Sequence, residues 1–65
     1  MNKKGKIVCV DANKAKVLFD DPNIMTTYLD IAQHVSLELL TPGTYVIVTF
    51  YNMTMKDGII MGVIR

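Results

Sequence analysis

Side chains able to do chemistry are few in this chain. It holds one cysteine, Cys9, one histidine, His34, and six acids, among them Asp20, Asp21, Asp30 and Glu38. A thiol or hydroxyl nucleophile needs a base within hydrogen-bond reach and a third group to orient that base. Ser36 follows His34 closely and Cys9 lies far back in the chain, yet no spacing joins them into a triad. Cys9 sits among Ile7, Val8 and Val10, surroundings that suit a small buried hydrophobe better than a nucleophile. A calcium site needs several oxygens converging at about 2.3 to 2.6 Å. The four acids lack the spacing of a calcium loop and read as turn and surface residues. One cysteine excludes an internal disulfide, and together with one histidine it is too little for a structural zinc site. The pattern predicts a noncatalytic protein with no metal, cofactor or small-molecule substrate, made in a reducing cytoplasm.

Aromatic and basic residues suggest a different chemistry. Tyr28, Tyr45 and Tyr51 could stack bases while Lys14, Lys16 and Lys56 supply positive charge, which is how small barrels bind single-stranded nucleic acid. Against this, the lysines do not interleave with the tyrosines, and Asp20, Asp21, Asp30 and Asp57 would repel phosphates on a shared face. Seven Lys and Arg against six Asp and Glu leave a formal charge of only +1. The one local excess, Lys3, Lys4 and Lys6, reads as a solubilising tip at a mobile N-terminus. Nucleic-acid binding is therefore the alternative rather than the leading expectation.

The elements that must position these residues are strands. Lys6 to Val10 is a β-branched run closed by Asp11, Ala12 and Asn13, a hairpin loop. A second strand follows over residues 14–20, with Lys14 and Lys16 facing water and Ala15, Val17 and Phe19 facing inward. Leu18 breaks the alternation and points to a partly covered outer face. Pro22 cannot donate to a ladder, so the strand stops there. A third strand is expected over residues 24–32. Residues 31–40 carry helical and strand spacing together and predict a short helical turn or irregular connection. Thr41, Pro42, Gly43 and Thr44 match a type II turn. Residues 45–51 form the clearest strand, and residues 59–64 the last, after a loop over residues 52–58. Gly5 and Gly62 are candidate positions for sharp strand bends.

The fold class expected is all-β. It is a single domain over residues 1–65, a small five-stranded antiparallel OB-like barrel, with an SH3-like barrel not separated by strand count alone. Closure removes the edges that so small a sheet would expose. A chain of 65 residues buries only about 60% of its unfolded surface, so its core needs a supplement. Its hydrophobic content is 51%, and the last two strands are apolar on both faces. If Val46, Val48 and Phe50 point inward, then Tyr45, Ile47, Thr49 and Tyr51 point outward. Tyr45, Ile47 and Tyr51 with the loop methionines Met53 and Met55 are the candidate interface, predicting a homo-oligomer. The bland reading is that the 31–40 connection folds over this face. No apolar run approaches the roughly 18 residues that span a bilayer, and no signal peptide is expected.

The runs "GKIVCVD", "KAKVLFDD", "YLDIA", "TPGTYVIVTFYN" and "DGIIMGVI" together resemble the OB-fold domain of the baseplate assembly protein V family, found in tailed-phage baseplates and spikes and in type VI secretion spikes. The resemblance covers Gly5 to Ile64. It implies a barrel that assembles on a tail axis through its walls, as a phage or prophage tail, baseplate or head-completion component, made in the bacterial cytoplasm and carried in the virion. Other phage structural proteins are the implied partners. Without a C-terminal β-helix or a histidine pair for an apical metal, envelope piercing is not expected.

Overall fold

Strand β1 (Asn2–Asp11) starts four residues earlier than its β-branched run, because Asn2 to Lys6 find a ladder partner far along the chain. The computed structural model describes residues 2–20, 23–51 and 57–65. β1 turns at Ala12 and Asn13 into β2 (Lys14–Asp20), and the two pair antiparallel from Lys6↔Leu18 to Asp11↔Lys14. Ala12 takes a φ of 55°, a value that favours glycine. The lysines near the N-terminus are thus strand residues rather than a mobile tip. Lys3 points the same way as Gly5 and Ile7, and its ammonium sits 5.6 Å from the centroid of the buried Phe19 ring.

The register of β1 on β2 slips between Ile7 and Cys9, leaving Val8 as an extra residue. This bulge turns Cys9 to the outer face opposite Lys16, where it is half-buried. The expectation of a buried hydrophobe at Cys9 is corrected accordingly. Ala15, Val17 and Phe19 all point into the core as the alternation predicts.

The single third strand expected over residues 24–32 is two strands, β3 (Asn23–Met25) and β4 (Leu29–Ile31), both antiparallel to β2. Thr26 causes the break. Its amide donates to the Val17 carbonyl at 2.8 Å, and its buried hydroxyl accepts from the Val17 amide at 3.0 Å while donating to the Thr27 carbonyl at 2.7 Å. A side chain thus replaces a main-chain acceptor, and the strand leaves the ladder over residues 26–28. Leu29, not Thr27, is the next residue to enter the core.

Beyond β4 the connection makes a 3-10 turn at Leu37–Leu39, as the mixed periodicity predicts. Leu40 and Val35 close one end of the core while Leu37 and Leu39 stay exposed. Gly43 has φ 93° and the Thr44 amide donates to the Thr41 carbonyl at 3.0 Å, the bond expected of a type II turn. Ile7 fixes this turn to β1: its carbonyl accepts from the Gly43 amide and its amide donates to the Thr44 carbonyl, both at 2.8 Å.

β5 (Tyr45–Phe50) and β6 (Gly58–Val63) pair antiparallel. Two further pairings close the barrel: β5 with the first half of β1, and β6 with β4. The β4–β6 pair is parallel, so the barrel is mixed rather than wholly antiparallel. The sheet order is β1-β5-β6-β4-β2-β3, with β1 also paired to β2. Five strands make the closed OB-like barrel, and β3 is an additional strand on the edge of β2. Ile7, Val17, Phe19, Leu29, Val46, Val48 and Ile60 fill its interior.

Candidate interaction surface

Outward residues of four neighbouring strands line up at one level of the wall. Met25 pairs with Leu18, Leu18 with Lys6, and Lys6 with Tyr45; on β2, β1 and β5 these positions alternate with core residues, while β3 is exposed throughout. Tyr45 is 39% exposed and Met25 53%, with Leu18 and Lys6 half-buried between them. Ile47 lies two residues from Tyr45 on the same face, opposite Lys4 of β1 and Gly62 of β6. A Cβ added at Gly62 would meet nothing within 4 Å, so the wall is open beside Ile47. The Lys4 ammonium rests 5.0 Å from the centroid of Tyr45. The outer wall of β5 is therefore apolar with a basic ridge along β1. The 3-10 turn makes no extended contact with this wall.

Tyr51 is not part of that surface. It follows β5 at the opposite end, about 20 Å along the strand from Tyr45 at 3.3 Å per residue, and is 60% exposed. Its amide donates to the Asp57 carbonyl at 2.9 Å. Tyr51, Tyr28, Lys14, Asp30 and Asp57 border a cleft of about 120 Å³. The Lys14 ammonium and the Asp30 carboxylate, directly opposite in the β2–β4 ladder, are 3.2 Å apart. The candidate interface thus divides into Tyr45 with Ile47 on one surface and Tyr51 on another. Met53 and Met55 lie outside the described residues.

Next to the cleft, Tyr28 joins two of the residues first considered for chemistry. Its ring has the Lys16 ammonium 5.0 Å from its centroid, and its phenol oxygen is 3.5 Å from the Cys9 sulfur. The hydrogen bond to Cys9, followed by repulsion from the Cys9 thiolate, raises the Tyr28 phenol above its ordinary 10.0. His34 is far from this pair. Its Nε2 lies 2.7 Å from the Met61 carbonyl oxygen, and because a carbonyl only accepts, Nε2 carries the hydrogen. Met61 is the extra residue of a second bulge, between Gly62, which faces Ile47, and Ile60, which faces Val48. His34 thus pins the connection onto β6.

Among the described residues no three His, Cys, Asp or Glu side chains gather where one metal ion could be held. Likewise, none of the described helices is long and apolar enough to cross a membrane. Lys4, Lys6, Leu18 and Met25 were missed as surface partners of Tyr45. Only Leu18, which breaks the alternation of its strand, carried a signal in the sequence. Comparison with protein-family models, with curated proteins and with solved structures finds no match to this chain.

Proposed function

We propose that the chain is a noncatalytic assembly module that self-associates through the outer wall of its barrel, as a structural component of a phage or prophage tail, baseplate or head-completion apparatus. The observation that carries this reading is the apolar outer wall of β5, where Tyr45 and Ile47 lie on one face and Tyr45 is exposed. Covering such a wall removes apolar area worth about 25 cal/mol per Å² and adds stability that a core of this size lacks. The OB-like barrel and the runs resembling the baseplate assembly protein V family support the phage setting. In that setting the chain is made in the bacterial cytoplasm and meets other phage structural proteins in the virion.

Light scattering coupled to size exclusion, over a range of concentrations, tests the reading. A stable multiple of the monomer mass is expected, and Ile47→Lys should return a folded monomer. A wild-type monomer at high concentration, or a variant of unchanged mass, sinks the proposal.

One observation favours a second reading, single-strand binding. Tyr28 and Tyr51 border one cleft, with Lys14 inside it and Lys16 over Tyr28. Asp30 and Asp57 border the same cleft and oppose a phosphate backbone. Binding of a labelled oligonucleotide that weakens steeply with salt supports this alternative, and no retention at low salt removes it.

A further inference from the structure

We infer that a single nucleic-acid strand binds along the outer wall of β1 and β2, its phosphates on Lys4, Lys6 and Lys16 and its bases against the rings of Tyr45 and Tyr28. The inference rests on single-strand binding, the second reading above, and gives it a path outside the cleft. It does not depend on self-association, although the path shares Tyr45 with the proposed interface.

The three lysines are scattered in the sequence and form a row on the barrel. Lys4 and Lys6 are two residues apart on one face of β1, about 7 Å at the rise of a strand. Lys6 pairs with Leu18, and Lys16 lies two residues from Leu18 on the same face of β2, so the step from Lys6 to Lys16 is about 8 Å across one strand spacing. Steps of this size suit successive phosphates of an extended strand. Among the described residues the ion pair is that of Lys14 with Asp30, and no carboxylate lies within ion-pair distance of a lysine in the row. Asp20, two residues beyond Leu18 on the same face, and Asp11, at the end of β1, bound the row without pairing with it.

In the sequence the lysines do not interleave with the tyrosines; the ladders bring them together. The Lys4 ammonium stands 5.0 Å from the Tyr45 centroid and the Lys16 ammonium 5.0 Å from that of Tyr28. Tyr45 is also the ladder partner of Lys6. The two rings are 39% and 40% exposed, which leaves each with surface on which a base can stack. Ammonium groups along the backbone and rings for the bases are the contacts that hold single strands. The row is one ammonium wide on the convex outside of a barrel, which fits one chain of phosphates better than a flat membrane. A duplex keeps its base faces covered and has nothing to offer the rings. Tyr28 also borders the cleft with Tyr51 and Lys14, so the wall and the cleft meet at that ring.

Fluorescence anisotropy of a labelled oligothymidylate of about 12 residues, titrated with the whole chain over a range of salt, tests the path. Log affinity against log salt should have a slope of about −2 or steeper, from three phosphates held at about 0.7 each. Lys4→Gln, Lys6→Gln and Lys16→Gln should each weaken binding and make the slope shallower by about 0.7. Tyr45→Ala should weaken binding by about tenfold. Lys3→Gln, which removes the same charge from the inward face of β1, should leave the slope unchanged. Lys4 is exposed, so its variant decides the matter even if the half-buried Lys6 and Lys16 substitutions unfold the chain. Equal losses in Lys3→Gln and Lys4→Gln overturn the row. A loss in Tyr51→Ala with none in Lys4→Gln or Tyr45→Ala confines the strand to the cleft, which overturns the path and leaves the second reading standing. A duplex of the same length, or vesicles rich in anionic lipid, bound as tightly as the single strand overturn the choice of ligand. No binding at low salt overturns both the path and the reading it rests on.

Discussion

The rings of Phe19 and Phe50 meet edge to face in the barrel interior, their centroids 5.9 Å apart and their planes inclined at 65°. Each ring lies against a glycine. A Cβ on Gly5 would stand 2.8 Å from the Phe19 ring and 2.5 Å from Val17, and one on Gly58 would stand 2.7 Å from Phe50. The aromatic pair therefore has the space it needs only because two neighbouring strands lack side chains there. Gly5→Ala and Gly58→Ala should each destabilise the barrel by about 1 to 3 kcal/mol, the usual cost of overpacking. Gly62→Ala, made in open space, should stay within about 0.5 kcal/mol of wild type. Urea unfolding of the three variants separates them, and equal losses at all three positions would count against the packing argument.

Thr26 is a buried side chain used as backbone. Thr26→Val keeps the shape and removes the acceptor for the Val17 amide, so a buried donor loses its partner. A loss of about 1 to 3 kcal/mol is expected, with Thr26→Ser retaining most of the stability. Amide exchange at Val17 should quicken in the valine variant and not in the serine one.

His34 holds the connection through one hydrogen bond to the bulge at Met61. Because the site is exposed, water replaces the ring when it is removed, so His34→Ala should cost only about 0.5 to 1.5 kcal/mol. The local readout is sharper: the amide signals of residues 33–35 and 61 should shift while those of β1 and β2 do not.

The raised Tyr28 phenol gives a pH dependence of definite sign. A group whose proton is held more tightly in the folded state stabilises fully below its unfolded value of 10.0, and that contribution disappears as pH rises through the higher folded value. Stability should thus fall as pH is raised beyond 10.0. Cys9→Ala, which removes the first cause of the shift, should bring the Tyr28 tyrosinate absorbance transition back toward its ordinary range. An unchanged transition in that variant would falsify the role given to Cys9.

Much of the barrel is legible in the residues. The turn at Thr41 to Thr44 is legible because proline and glycine each fix a backbone angle, and β5 because its alternation is unbroken. The helical turn between the third and fourth barrel strands follows from the mixed spacing of residues 31–40. What escapes notice is anything decided by one residue acting against its type. Thr26 breaks a strand by standing in for main chain. The bulges at Val8 and Met61 reverse the faces of Cys9 and Val63 without a compositional sign. Lys3 reads as a solvated end yet lies over a core ring. Tyr45 and Tyr51 share a parity, but parity says nothing of the distance along a strand, which here is about 20 Å at 3.3 Å per residue.

The way β1 is shared between two neighbours has a temporal side. Its second half pairs with β2 across a tight hairpin, whereas its first half meets β5, with Asn2 and Thr49 bonded across 47 positions of chain. Contacts so distant carry a larger closure entropy and form late. The hairpin is the natural early structure, and the β1–β5 seam is the last to be made. Lys6 and Tyr45 come side by side only at that seam. Under the proposed self-association, the wall that Lys6 and Tyr45 share exists only once that seam has formed.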